Sequence, residues 1–368
     1  MKRDLFVFAG QSNMMGAAVF PPKKALQIKD SYEYKHKAKR LGVGELFVKA
    51  GYPVGEFSYV DIEKAYTEDM TDENGNSKLV DYVANTYFCP AMSNLKSEET
   101  KEVFSFLSFS ESSAPDGVTI APFLAKKWEE LGCACAYAHI AKGGVSVDYY
   151  MTDEMCDEYA RRIEEYNREN NTNYDVRISN GRRMVGAAEY FLEKCHDFFT
   201  DSEKYFTDDE LSKKCLFWLQ GESDARSSDV EYKTKLEIFW EKLKNVGFTH
   251  FLCVRIDYFG SNGISKIMRA QEDFVSRHND AYMLTRAASY LTYPGQNEED
   301  WFIKPSSVEY RDCRDSFFGY NNNHINEKGF SLIAERAVKN LYRVLCENKE
   351  PILEEENIKA LLKGEENV

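Results

Sequence analysis

Residues 6–16, FVFAGQSNMMG, decide the fold, because an apolar run in this stretch passes through a glycine directly into a serine. A short apolar run without polar alternation is typical of a strand that is buried on both faces of a parallel sheet. In such sheets, ligands bind beyond the carboxyl ends of the strands, and the following helix directs N–H groups towards them. The stretch therefore predicts a buried strand with Ser12 at the position of a nucleophile.

Similar apolar runs recur along the chain, and helical patterns separate them. The strand-like runs are 5–8, 134–140, 216–219, 251–256 and 281–284. The helical patterns are 121–131, 182–199, 230–246, 264–278 and 327–346. Alternation of strand and helix predicts a parallel sheet that is covered on both faces. We expect an α/β fold, a flavodoxin-like three-layer α/β/α sandwich with a five-stranded, mostly parallel sheet.

Two long stretches, 17–117 and 151–180, interrupt this alternation. The first is far longer than an ordinary connection and is rich in Tyr, Lys and Glu, so it forms either a subdomain or an elaborated rim over the site. We favour the rim, and expect a single domain over 1–350. The acidic tail 351–368 is expected to form a surface helix with a frayed end.

The charge balance excludes several classes of partner. The chain of 368 residues has 47 Lys and Arg against 61 Asp and Glu, a formal net charge of −14, and 43% of its residues are hydrophobic. An acidic protein is repelled by nucleic acid and by anionic membrane surfaces. We therefore expect a globular protein that binds neither of them, and the acidic balance is compatible with a neutral or weakly charged ligand.

The cysteines and the apolar segments bear on cofactors and location. The nine cysteines lack the regular spacing of a disulfide scaffold, and neither CxxC nor HExxH occurs. No apolar segment reaches the roughly 20 residues that a transmembrane helix needs, and no leader pattern precedes the first strand. These features favour a cytoplasmic protein without a metal or organic cofactor.

Four blocks of the sequence resemble a known family. GQSNM at 10–14 is similar to the nucleophile block of the SGNH hydrolases, in the branch of sialate O-acetylesterases and carbohydrate acetylesterases. AKGGVSVDYY at 141–150 resembles the second block, and FWLQGESD at 217–224 resembles the third, WxQGExD. NNNHIN at 321–326 occupies the place of the DxxH block. The blocks follow the family's order and cover the core of the chain, but not the two long stretches.

The resemblance implies roles for individual residues. Ser12 would be the nucleophile, and His324 the base, since imidazole has a pKa suited to taking the serine proton near neutrality. The oxyanion formed on ester attack needs donors already in place. The Ser12 and Gly144 N–H groups and the Gln220 amide would provide them, and Gly143 could replace Gly144.

One position departs from the family pattern. DxxH would place an aspartate three residues before the histidine, where this chain has Asn321. An aspartate there orients the imidazole and stabilises the imidazolium. Three alternatives follow: a Ser–His dyad oriented by a backbone carbonyl, a recruited carboxylate such as Glu222 or Asp315, or a weakened enzyme.

The sequence thus predicts a serine esterase that removes O-linked acetyl groups from a carbohydrate, or acts on another small ester substrate, through an acyl-serine intermediate. The acetyl and carbohydrate parts come from the resemblance, whereas the residues argue for acyl transfer. Gln11, Asn13 and Tyr149 are the predicted substrate-binding residues, with Tyr149 a candidate for stacking on a sugar ring. The alternatives are a catalytically weak carbohydrate-binding or scaffold protein on the same fold, and a lipase or thioesterase.

Overall fold

The structure, a computed structural model, describes residues 2–15, 32–36, 104–108, 119–178, 187–207, 209–256, 264–290, 325 and 327–353. Seven strands of this part form one sheet in the order β3-β2-β4-β1-β5-β6-β7. They are β1 (Lys2–Gly10), β2 (Tyr32–His36), β3 (Phe104–Ser108), β4 (Ala134–His139), β5 (Glu210–Leu219), β6 (His250–Val254) and β7 (Ala281–Thr285). Their pairings are parallel, except that β2 and β3 pair antiparallel.

The five predicted strands are confirmed. Numbered among themselves in chain order, they have the spatial order 2-1-3-4-5, which is the flavodoxin-like arrangement. The sheet is two strands larger than predicted, because β2 and β3 of the stretch 17–117 extend it beyond β4. Each of the other five strands contains an uninterrupted apolar run, whereas β2 reads YEYKH and β3 reads FSFLS. A search for apolar runs does not detect strands in which polar residues interrupt the apolar ones.

Helices cover both faces of the sheet. They are α1 (Ser12–Met15), α2 (Ile120–Glu130), α3 (Asp153–Asn170), α4 (Ala187–Tyr205), α5 (Asp229–Val246), α6 (Ile264–Arg277), α7 (Ala287–Tyr290) and α8 (Glu327–Leu345). Two 3₁₀ turns lie at Val147–Tyr150 and Glu222–Asp224. The predicted helices are confirmed where the structure describes them. The second long stretch contains α3, while residues 182–186 and the tail beyond 353 lie outside the described part.

Alternating aromatic side chains show how the layers pack. Adjacent residues of a strand point to opposite faces of the sheet. Phe217 of β5 stacks on Phe8 of β1, and on that face Phe6 contacts Trp128 of α2, which also touches α8. Trp218 points the other way, to Phe239 of α5. Helices α2 and α8 therefore cover one face and α3 to α6 the other, which confirms the three-layer sandwich.

Within the described ranges, no helix is both long enough and apolar enough to cross a membrane.

Candidate active site

The strand order locates a candidate site at the carboxyl edge of the sheet. The next three strands after β1 in the chain, β2, β3 and β4, all lie on one side of it, and the chain then crosses to β5 on the other side. Such a reversal leaves a crevice beyond the carboxyl ends of the strands, where ligands of this fold class bind. Ser12 follows the end of β1, and the Glu222–Asp224 turn follows the end of β5.

The turn between β1 and Ser12 is tightly fixed. The Tyr150 hydroxyl donates to the Gly10 carbonyl oxygen at 2.5 Å and accepts from the Gly10 N–H at 3.2 Å. A Cβ on Gly10 would lie 2.0 Å from the carbonyl oxygen of Leu219, so β5 excludes any side chain here. Ser12 is half-buried at the start of the one-turn helix α1, and its hydroxyl makes no hydrogen bond within the described part of the chain.

The two glycines after β4 lie beside Ser12 but differ in orientation. A Cβ placed on Gly143 would be 3.8 Å from the Ser12 Cβ, so the two residues are neighbours. The Gly143 N–H points to Met15 Sδ at 3.3 Å. Gly144 is exposed, has a φ of +71°, and its N–H makes no hydrogen bond to a described residue. Gly144 therefore keeps the N–H that an oxyanion could use.

Asn13 connects the first, third and fourth blocks of the sequence. Its Nδ2 donates to Glu222 Oε1 at 3.1 Å, and its Oδ1 accepts from the Ile325 N–H at 3.0 Å. Asn13 is 1% exposed. The side chain thus acts as a buried clamp between the turn after β5 and the residue that follows His324 in the sequence.

The Gln220 amide is fully engaged inside the protein. Its Nε2 donates to the Val145 carbonyl oxygen at 3.1 Å and to Asp224 Oδ2 at 2.5 Å, while its Oε1 accepts from the Tyr232 hydroxyl at 3.0 Å. An amide nitrogen has two N–H groups, and both are used. In this arrangement Gln220 has no donor left for an oxyanion, in contrast to its predicted role.

Below the site lies a buried charged cluster of Asp148, Asp224 and Lys235. Lys235 Nζ contacts Asp148 Oδ1 at 2.6 Å, with both side chains almost fully buried. Asp224 Oδ2 accepts from the Val147 N–H at 3.0 Å. The cluster joins the loop after β4, the turn after β5 and helix α5. Burial and the negative charge of the nearby Asp148 raise the pKa of Asp224 to about 7. Lys235 and the hydrogen bonds that Asp224 accepts act in the opposite direction.

We expect this raised pKa to make stability depend on pH. An unfolded aspartate titrates near pH 3.9 and the folded Asp224 near pH 7. The native state thus holds the proton more tightly, and the free energy of unfolding falls as pH rises between these values. In Asp224→Asn this contribution is absent. The difference in the free energy of unfolding, wild type minus variant, should fall by up to about 1.4 kcal/mol per pH unit in this window and should stay constant above it. Urea unfolding at pH 5, 6, 7 and 8 measures it, and a difference that stays flat would contradict the assignment.

The remaining predicted residues divide into buried ones and ones outside the described part. Gln11 Oε1 accepts from the Ser223 N–H at 3.2 Å, and Gln11 is 4% exposed. Tyr149 is fully buried, so its ring offers no face for a sugar. Together with Asn13, these side chains hold the site rather than line a substrate surface. His324, Asn321 and Asp315 lie outside the described residues.

His139 shows a local role that the sequence did not specify. It ends β4, and its Nε2 hydrogen-bonds the Met14 carbonyl oxygen, which also accepts from Thr119 Oγ1 at 2.7 Å. Two side chains therefore hold the carboxyl end of α1. The described residues contain no group of three or more His, Cys, Asp or Glu side chains arranged to bind a metal ion.

The fold and the site together define an α/β three-layer sandwich with a candidate site at its topological reversal. No family model matches the chain, and no curated protein matches it. The solved structures that resemble it include a carbohydrate acetylesterase from Xanthomonas citri (11% identity, TM-score 0.45), an Arabidopsis thaliana protein (12%, 0.43) and NanS (12%, 0.44). Each covers 94% of this chain, which spans 57% of the acetylesterase, 99% of the Arabidopsis protein and 98% of NanS.

Proposed function

We propose that this protein is a serine esterase that removes O-linked acetyl groups from a carbohydrate. The observation that supports it most is the Asn13 clamp: next to Ser12, one side chain binds both Glu222 and the backbone of Ile325. His324 is covalently joined to Ile325, so the clamp supports a nucleophile and a base at the same edge of the sheet.

In the proposed mechanism, Ser12 Oγ attacks the ester carbonyl while His324 takes its proton. The oxyanion is held by the N–H groups of Ser12 and Gly144, without the Gln220 amide. Collapse of the tetrahedral intermediate releases the sugar hydroxyl, which receives the proton from His324. Water, activated by the same imidazole, then attacks the acyl-serine and releases acetate.

Glu222 is the proposed partner of His324 in place of the family's aspartate. Its Oε1 is linked through the Asn13 amide to Ile325, so the carboxylate lies two hydrogen bonds from the residue after His324. A carboxylate close to an imidazole stabilises the imidazolium that forms during attack. This supports a recruited carboxylate over a dyad. The acetyl and carbohydrate specificities rest on the sequence resemblance.

The test combines covalent labelling with turnover. A fluorophosphonate probe should label Ser12, and wild type should hydrolyse p-nitrophenyl acetate and release acetate from acetylated xylan or O-acetyl sialic acid. Both His324→Ala and Glu222→Gln should be slower. Faster turnover of long-chain p-nitrophenyl esters would favour a lipase or thioesterase. No Ser12-dependent turnover on any ester would overturn the esterase and favour a carbohydrate-binding protein.

Asn13→Asp tests the clamp itself. The new carboxylate still accepts from Ile325, but it replaces the N–H donated to Glu222 by a second negative oxygen. We expect a loss of about 1–3 kcal/mol of unfolding free energy at pH 8 and a smaller loss at pH 5, where the two carboxyl groups can share a proton. Asn170→Asp, the same change at an exposed side chain, is the control. Equal losses at both pH values would contradict the contact.

A further inference from the structure

Two thiols face each other at the amino-terminal edge of the sheet. Cys133 directly precedes β4, and Cys346 directly follows α8. Their Sγ atoms are 3.9 Å apart although the residues are 213 positions apart in the chain. Cys133 is half-buried and Cys346 is exposed. Packing of α8 against α2 brings them together.

We propose that Cys133 and Cys346 form a redox-active pair, which closes to a disulfide by exchange with a small-molecule disulfide of the glutathione class. The sulfur atoms have to approach by about 2 Å to reach the S–S bond length, a distance that side-chain rotation can supply.

The exchange takes place in two balanced steps. The Cys346 thiolate attacks one sulfur of oxidised glutathione, forms a mixed disulfide and releases one glutathione thiolate. The Cys133 thiol then loses its proton, and its thiolate attacks the Cys346 sulfur, which releases the second glutathione. The two protein thiols are oxidised, and one oxidised glutathione is reduced to two reduced glutathione molecules.

The surroundings of the pair set this order of attack. Burial, the neighbouring Cys346 and the charge of Asp4 raise the pKa of Cys133 to about 12. Burial also raises the pKa of Cys346, and the charges of Asp4 and Glu347 add to the rise, while its hydrogen bond with Cys133 and the nearby Lys2 oppose it. The exposed Cys346 is therefore both the more accessible and the more readily ionised thiol. A high thiol pKa slows exchange at neutral pH, so the pair closes slowly.

The disulfide would fasten the last helix without touching the candidate active site. β1 and β4 run parallel, so Cys133 lies at the opposite edge of the sheet from Ser12. The six residues of β4 span roughly 20 Å. The expected result of oxidation is a more stable fold with unchanged activity. This inference does not depend on the proposed esterase.

The experiment uses the full chain, equilibrated with reduced and oxidised glutathione at several ratios, then alkylated and digested without reduction. Mass spectrometry should find the Cys133 and Cys346 peptides joined as the oxidised fraction rises. The melting temperature of the oxidised protein should rise by roughly 3–8 °C. Cys346→Ser should abolish the joined peptide and the shift, and Cys156→Ser, at another half-buried position, should keep both.

Two results would overturn the proposal. One is the absence of the joined peptide at every glutathione ratio. The other is a final state in which Cys346 carries glutathione or joins a different cysteine while Cys133 stays reduced.

Discussion

Replacing Ser12 by alanine is expected to lower kcat/KM for p-nitrophenyl acetate by about 10⁴-fold or more. Without the hydroxyl no acyl-enzyme can form, and the remaining donors only stabilise attack by water. Ser12 is half-buried at the start of a one-turn helix and makes no hydrogen bond within the described chain, so the fold should be retained. Initial rates measure the loss of activity, and an unchanged melting temperature would show that the fold is retained.

Ser223→Ala is the matched control. Ser223 belongs to the turn after β5, and its backbone N–H donates to the side chain of Gln11. It therefore lies in the same site, but it is not at the nucleophile position after β1. We expect it to retain activity within about threefold, since its backbone contact survives the substitution. If Ser12→Ala keeps more than about a tenth of the wild-type rate, or Ser223→Ala loses as much as Ser12→Ala, Ser12 is not the nucleophile.

Lys235→Met is expected to have the largest effect on stability. It removes the only cation in the buried cluster and leaves Asp148 and Asp224 close together without it. Breaking a buried ion pair from one side costs about 3–5 kcal/mol, because an uncompensated charge stays in the interior. Chemical denaturation at pH 8, where Asp224 is ionised, measures the loss.

Two further variants decide whether the cause is buried charge. Lys242→Met, on the same helix, removes an ion pair with the exposed Glu154 and should cost about 0–1 kcal/mol. Adding Asp148→Asn to Lys235→Met removes the uncompensated carboxylate and should recover part of the stability. A loss for Lys235→Met no greater than that for Lys242→Met would contradict the role of the cluster.

The candidate site was predictable in part. The blocks around Ser12, Gly143 and Glu222 could be placed at one edge of the sheet, because parallel strands present their carboxyl ends together. The structure describes these residues close to one another there. Whether they act as predicted stays a prediction that the experiments above test. The sequence contained two signals for the buried cluster. Asp224 belongs to the third block, and Lys235 lies among the apolar residues on the buried face of α5.

The sequence by itself determined the class of fold and the five parallel strands. An apolar run such as 216–219 indicates a strand that is buried on both faces of the sheet, and the alternation of such strands with helices restricts the topology. The alternating strands β2 and β3 lacked that signal, so their membership of the sheet emerged from the structure.

Only the tertiary structure decided how the polar groups are used. The same Gln220 side chain could donate to an oxyanion or to Asp224. The hydrogen-bond acceptors that surround it decide which of the two it does. Those partners come from distant parts of the chain, as when Asn13 accepts from Ile325, 312 positions away. Apolar burial is non-directional and is set by local pattern, whereas a hydrogen bond requires a particular partner at a particular distance and angle.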